Sequence, residues 1–404
     1  MKGLHSKGTS ATVRSVFCRG TNDGSRGGRS GRRSGTPMTL TTGIELELWV
    51  IDEHGCLCGG RQIADAHERI EPEFVGPLLE VRTAPRDSEV ALRRDLEDVL
   101  GTAIRAARAE GKRLVPLGTP LTEVDDPAPS ERGELFERIY GDGVRAAKNC
   151  AGTHLHFERT EPTSQLNLLT ALDPALALVS SSPYYCGQRS QRSARAHAYR
   201  RECGTAFTPY CDLWSYVDSV AEWEDRVDRA FESFTSLAAE RGVSPSRVER
   251  AFTPEDAVLN PVRLRRCQPT VEWRAPDAAL PSEVVSLAAD VGGLVAQTEE
   301  APVTVGDPGV YDDRVGVPAF DDLYDLSRVA IAFGLSPEPV RDYLQRFGFG
   351  CSTYDPLSER LGGSEAVSEE RAREMRLEQA RRLEADVAGL LDVEPSPPSR
   401  VEEA

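Results

Sequence analysis

Lysine is almost absent. Lys and Arg total 48, but only four are lysines: Lys2, Lys7, Lys112 and Lys148. A phosphate-cradling G-x-x-x-x-G-K-[ST] loop needs a lysine after its last glycine, and no such motif occurs, so a P-loop enzyme is excluded. No G-x-G-x-x-G opens a helix after a strand, which argues against a dinucleotide-binding unit. There is no run of eighteen apolar residues, so no transmembrane helix is expected, and no apolar core of a secretory signal is visible. The nine cysteines are odd in number and irregular in spacing. They read as reduced thiols of a cytoplasmic protein rather than a disulfide framework. Cys56 and Cys58 form a C-x-C beside Gly55, Gly59 and Gly60. A turn is expected there, with two-ligand metal binding as the alternative.

What the chain has in excess is acid. Asp and Glu total 65, and the formal net charge is -17. Such a surface argues against nucleic acid as a partner. Acid excess with little lysine suits a chain adapted to high salt, where carboxylates hold water and cations and repulsion is screened. Codon bias in a GC-rich genome would also replace Lys by Arg. Residues 1–37 run against this trend, with eight basic residues and the single acid Asp23. Rich in Gly and Ser and without periodicity, they are expected to be a disordered basic extension. Translation is expected to begin at Met38, just before the first ordered strand, with a transit peptide or basic arm as the alternative.

At 404 residues the chain is long enough for a sizeable core. Alternation predicts strands at 44–50, 78–83, 114–117, 153–157 and 269–274. Helices are expected over 88–110, closed by Gly111, over 164–181, ended by Pro183, and over 281–300. Beyond about 305, turns and two helical stretches near 318–347 and 368–391 suggest a helical C-terminal region, 305–404, after a catalytic domain at 38–304. The charged helix at 368–391 reads as a solvated face, with dimerisation through it as the alternative. Tyr184, Tyr185, Tyr199, Trp214, Tyr216 and Trp223 cluster in sequence and suit either a substrate wall or ordinary packing.

Four of the strands share a pattern. Each carries two polar groups two residues apart: Glu45 and Glu47, Glu80 and Arg82, His154 and His156, Glu272 and Arg274. Residues at i and i+2 of a strand share a face, while Leu46, Val81, Leu155 and Trp273 between them would face a core. One such pair alone reads as a solvent face. Four pairs, with two of only six histidines in one short strand, read as one polar cleft. Carboxylates and imidazole suit Mg²⁺, or Mn²⁺ as an alternative. Guanidiniums suit phosphate or carboxylate oxygens. Together they point to phosphoryl transfer from a nucleotide. A metallohydrolase built on His154-x-His156 lacks the further ligands that such a site needs.

The ordered set Gly43-Ile44-Glu45-Leu46-Glu47, Glu80-Val81-Arg82-Thr83, Gly152-Thr153-His154-Leu155-His156 and Thr270-Val271-Glu272-Trp273-Arg274 resembles the glutamate–cysteine ligase family, in its bacterial and archaeal carboxylate–amine ligase branch. It spans about residues 41–300. Leu178-Val179-Ser180-Ser181-Ser182-Pro183, followed by Gly187, is similar to the family's Ser-Ser-Pro segment. The resemblance implies an α+β, glutamine-synthetase-like fold in which an antiparallel sheet cups ATP and Mg²⁺ ions. It implies γ-phosphate transfer to the side-chain carboxylate of glutamate, then attack on the acyl phosphate by an amine such as that of cysteine. Carried over, Glu45, Glu47, Glu80, His154 and Glu272 would be metal ligands and Arg274 would neutralise charge at the ATP phosphates, with Glu45 and Arg274 catalytic. Arg82, His156 and Arg200 would be substrate or ATP contacts. Two departures stand out. Gln188-Arg189-Ser190-Gln191 replaces the family's Asp-Thr-Gly, leaving Arg195 or Arg200 as the substrate arginine. Glu-Leu-Glu replaces the usual Glu-Glu-Glu. A different acid or amine substrate, or a non-catalytic paralogue, are the competing readings.

Overall fold

The computed structural model describes residues 37–73, 75–124, 131–203, 208–266, 268–361 and 363–391. The basic segment expected to be disordered lies outside these residues, apart from Pro37. The architecture is α+β around an eight-stranded sheet, and every strand pair in it is antiparallel.

The organising strand is β1, Pro37–Asp52, which begins earlier than its alternating stretch suggested. Its sixteen residues reach far enough to pair with four others. These are β3 (Leu78–Arg82), β4 (Arg86–Ser88), β5 (Lys112–Val115) and β6 (Thr153–Glu158). The sheet continues through β2 (Ile70–Pro72) on one side and β10 (Thr270–Trp273) and β9 (Val262–Leu264) on the other, in the order β2-β3-β1-β6-β10-β9. Two small sheets lie apart: β7 (Tyr184–Tyr185) with β8 (Gln188–Arg189), and β11 (Val303–Val305), β12 (Gly309–Val310) and β13 (Val315–Val317). The second was not legible in the Pro-, Gly- and Asp-rich turns of that stretch.

Alternation sets one apolar face against helices. Ile44, Leu46, Leu48, Val81, Leu155, Phe157, Val271 and Trp273 are all at or below 1% exposure. Helices Glu89–Ala109 and Pro281–Gln297 cover this face. The first starts where Ser88 accepts a hydrogen bond from the Ala91 amide and ends before Gly111, whose φ of +67° suits a residue without Cβ. The helix expected over 164–181 is two pieces. An α-helix runs Pro162–Ala171, and a 3-10 helix runs Asp173–Val179. Pro174 explains the break, since it lacks the amide of the α ladder and disfavours α geometry at Asp173. The stretch 318–347 is likewise divided, into helices Phe320–Phe333 and Glu338–Arg346, at Gly334 with φ +61°. Helix Glu369–Gly389, for all its charge, buries Ala372, Met375, Ala380, Leu383 and Val387 in the same core as β1. A second, aromatic cluster joins Phe136, Phe234 and Phe252, with ring centroids 4.7–6.0 Å apart. Of the aromatic run, Trp214 and Trp223 pack on each other at 5.1 Å.

All seven cysteines among the described residues are free thiols. No helix among them is long and apolar enough to cross a membrane.

Leu155 sits directly beneath the two histidines with no exposure. Leu155→Ala is expected to cost about 2–5 kcal/mol, as core truncations that leave a cavity do. Urea unfolding measures this, and a cost well under 1 kcal/mol would contradict the packing.

Candidate active site

Strand register gathers the polar pairs on the other face of the sheet. Glu45 lies opposite Arg82 on β3 and His154 on β6, and Glu47 lies opposite Glu80. Glu272 lies opposite His156 on β6 and Arg263 on β9. The eight residues expected from alternation, Glu45, Glu47, Glu80, Arg82, His154, His156, Glu272 and Arg274, therefore share one face.

One side of this face is acidic. Ligand atoms of Glu47, Glu73 and Glu80 fall within 4.8 Å of one another, as do those of Glu45, Glu80 and His154, and those of Glu45, His156 and Glu272. Burial, and then the charges of Glu45, Glu73 and Glu47, push the Glu80 carboxyl well above its ordinary range. Burial also raises Glu47, against the pull of Arg195, Arg274 and the Gly152 amide, which donates to Glu47 Oε2 at 2.6 Å. Arg82 does little to relieve them, because its guanidinium bonds to Glu71 and stands 3.7 Å from Glu80. Glu73 was missed in the sequence. It lies in the turn between β2 and β3, outside any alternating run, and only the hairpin brings it to Glu80.

The histidines stand at the centre. Burial, and then the nearby Arg274, lower His154 to about 3, so it is a neutral imidazole at pH 7. Its Nδ1 lies 3.2 Å from Glu45 Oε2, and its Nε2 lies 3.7 Å from Glu47 Oε1. His156 Nε2 lies 3.2 Å from Glu45 Oε2. Both Nε2 atoms are buried and lack hydrogen-bond geometry to any partner. Against its burial, the nearby His156 and then the His154 Nδ1 contact hold Glu45 well below the usual carboxylate range. Crowded carboxylates with raised proton affinity, beside a neutral imidazole with an idle nitrogen, fit a hard divalent cation. The donors that would hold one come from these three groups, of which Glu45 and Glu80 each belong to two.

The other side is cationic. Glu272 has no exposure, and its two oxygens accept from three guanidiniums. Arg263 Nη2 donates at 2.8 and 3.0 Å, and Arg265 Nη1 at 3.0 Å. Arg274 Nη1 bonds the other oxygen and lies 3.2 Å from His154 Nδ1. Against its burial, Arg263 and then Arg274 hold Glu272 well below the usual range. Its oxygens are engaged by arginine, and it also belongs, with Glu45 and His156, to one of the groups whose ligand atoms lie within 4.8 Å of one another. Arg263 and Arg265 were missed, although Val262-Arg263-Leu264-Arg265 repeats the same alternation. Three residues were too few to read as a strand.

Arg200 is not part of this face. It is buried in a bidentate pair with Asp173, at 2.7 Å on both arms. Arg195 takes the place beside the cleft. Its Nη1 donates to the Ala275 carbonyl at 3.1 Å and its Nη2 to the Arg274 carbonyl at 3.2 Å, and it stacks on Tyr199 at 5.3 Å. Gly152 leaves room for it, because a Cβ there would meet Nη2 at 2.2 Å. The Ser180–Ser182 segment is buried scaffold. Ser181 donates from its amide to Asp277 Oδ2 at 3.0 Å, and its Oγ accepts from the Gly118 amide at 2.6 Å.

No family model matches the chain. A curated protein of Salinispora arenicola (strain CNS-205), named "Putative glutamate--cysteine ligase 2", is 29% identical over 195 residues. That match covers 45% of this chain and 51% of the relative, so the chain spans about half the length of the curated protein it resembles. Two solved structures are similar. A bifunctional glutathione synthetase from Pasteurella multocida has a TM-score of 0.46 and 15% identity, over 87% of this chain and 53% of that one. A glutamate–cysteine ligase from Francisella tularensis, in complex with AMP, has a TM-score of 0.42 and 14% identity, over 87% of this chain and 92% of that one.

Glu80 carries the pH dependence of this side. Its proton affinity is higher folded than unfolded, so it favours the folded state below pH 4.5 and that contribution is lost as pH rises through its folded value. The contribution of Glu80 to the thermal stability of the metal-free protein is expected to fall as pH rises above 4.5, so Glu80→Gln should gain in melting temperature relative to wild type over that range. MgCl₂ or MnCl₂ should raise the melting temperature of the wild type and release protons on binding. Scanning calorimetry across pH measures the first. Equal stabilisation of wild type and Glu80→Gln by metal would remove Glu80 from the cation site.

Proposed function

We propose that the chain is an ATP-dependent carboxylate–amine ligase that joins the γ-carboxylate of glutamate to the amine of cysteine. The observation that carries this reading is the single sheet face with carboxylates at one side, guanidiniums at the other and imidazoles between. Making an amide from a free carboxylate requires activation, and phosphorylation by ATP provides it. The γ-phosphoryl group moves to the glutamate side chain, the amine attacks the acyl phosphate, and phosphate leaves with amide formation.

Magnesium, with manganese as the alternative, would be held by Glu45, Glu47, Glu73, Glu80 and His154, and when bound it supplies charge neutralisation at the ATP phosphates. Arg274 presents its guanidinium to the transferring phosphoryl group, where charge develops. Arg263 and Arg265 keep Glu272 in place, and Glu272 in turn orients Arg274. Arg195, pinned by two backbone carbonyls, has a buried Nε without a partner and is placed to receive a substrate carboxylate. His156 and Arg82 line the same face and serve as substrate contacts. The name of the Salinispora relative supports the choice of glutamate and cysteine.

A second reading, the same chemistry on another acid or amine, is favoured by one segment. Gln188 and Arg189 form the small hairpin with Tyr184 and Tyr185, and this replaces the polar Asp-Thr-Gly run expected beside the substrate.

ADP release should require both glutamate and cysteine, in high KCl with Mg²⁺ and ATP, and yield a product of their summed mass less water. Arg274→Ala is expected to lower kcat by about 10²–10³, the cost of removing one group that stabilises developing charge. Release with glutamate and a different amine would select the second reading. Folded protein that binds Mg²⁺–ATP but releases no ADP with any acid and amine would overturn both.

A further inference from the structure

A cavity of about 580 Å³ opens on the far flank of the segment that carries Arg195 and Tyr199. Its size lies within the ~300–1,000 Å³ of small-molecule sites. One wall is the turn Ala198–Glu202, which is wound as a π-helix, a geometry that recurs at functional sites. The opposite wall is helix Phe320–Phe333, which contributes Val329, Ile331, Ala332 and Phe333. Phe333 is 58% exposed and is one of three large apolar side chains left open among the described residues.

The mouth carries two guanidiniums, Arg201 and Arg328, beside the carboxylates of Asp212 and Asp325. Arg201 and Arg328 are both exposed there. The Arg201 Nη2 donates at 2.7 Å to a phenol, Tyr324 Oη, rather than to a carboxylate. That phenol already donates to Asp212 Oδ2 at 2.6 Å. Arg328 stands 3.7 Å from Asp325 in a solvent-screened pair. A bound carboxylate could therefore take both guanidiniums without breaking a buried ion pair, since Arg200 behind them is already matched by Asp173.

We infer that this cavity is a second ligand site, for a small organic monoanion with an apolar body, separate from the carboxylate face. The carboxylate meets Arg201 and Arg328 at the mouth, and the body lies against Val329, Ala332 and Phe333. Neither half of the chemistry suffices alone. A bare anion leaves the apolar wall wet, and a neutral apolar molecule leaves the guanidiniums unmatched.

Titration calorimetry on the full chain at fixed ionic strength tests this with phenylacetate, hexanoate, acetate, benzyl alcohol and AMP. Phenylacetate and hexanoate should bind saturably at one site per chain. Acetate and benzyl alcohol should bind at least roughly tenfold more weakly, as expected from losing either the charge-assisted bonds or the apolar burial. Arg201→Ala should weaken phenylacetate by a similar factor. Ala332→Trp, which fills the cavity without altering a charge, should abolish its binding. Circular dichroism checks that each variant is folded, and the exposed Arg201 keeps the test open should Ala332→Trp fail to fold. No saturable binding of either probe would overturn the inference, as would binding that both folded variants leave unchanged. Displacement of phenylacetate by AMP would also overturn it, by assigning the cavity to the nucleotide.

Discussion

The register of β1 is the constraint from which the rest follows. Its side chains alternate between an apolar face with almost no exposure and a face that bears Glu45 and Glu47. It pairs with β3 and β6, and a one-residue slip in either ladder would turn every side chain of the displaced strand over. Such a slip on β6 would drive His154 and His156 into the apolar layer and lift Leu155 and Phe157 into the cleft. The burial of Leu155, Phe157, Val81 and Trp273 thus holds the polar groups in place. Packing free energy on one face determines the electrostatics of the other.

That second face is not a uniform field. From β3 to β9 is four strand spacings, about 19 Å, and the charge changes sign along that path. Carboxylates crowd the β3–β1 side with raised proton affinity, and guanidiniums surround Glu272 on the β10–β9 side. The imidazoles of β6 lie between them. The two sides differ in how they are satisfied. Glu272 is buried but matched by three arginines, which makes it a rigid post in the metal-free protein. Glu47 and Glu80 are partly buried and have raised proton affinity, which a cation bound beside them would relieve. The acidic side has the chemistry that suits a hard cation, and the guanidiniums of the other side have the chemistry that suits an anion.

Much of this is legible in the amino-acid order. Period-two alternation in four short stretches places eight side chains on a common face, because a strand has only two faces and apolar neighbours claim one of them. The same rule was underused at Arg263 and Arg265, where three residues were too short a run to count. It does not extend to Arg200, whose charge is matched by Asp173 inside the protein. Local chemistry also outweighed a long apolar pattern at Pro174, which converts the end of an expected helix to 3-10 geometry.

By itself the sequence determined which residues alternate, where Ser88 and Gly111 start and stop a helix, and that the cleft would join acids, imidazoles and arginines. These are properties of the chain within a few residues of each position, and short-range sterics and hydrogen bonding decide them. Only the tertiary structure decided that Glu73 reaches Glu80 across a turn and that Glu272 is taken up by Arg263, Arg265 and Arg274. It alone placed Arg195 rather than Arg200 beside the cleft, and opened a cavity behind the segment that carries them. Each of these depends on which strands and helices lie side by side, and charge pairing acts through space between residues that the chain order separates.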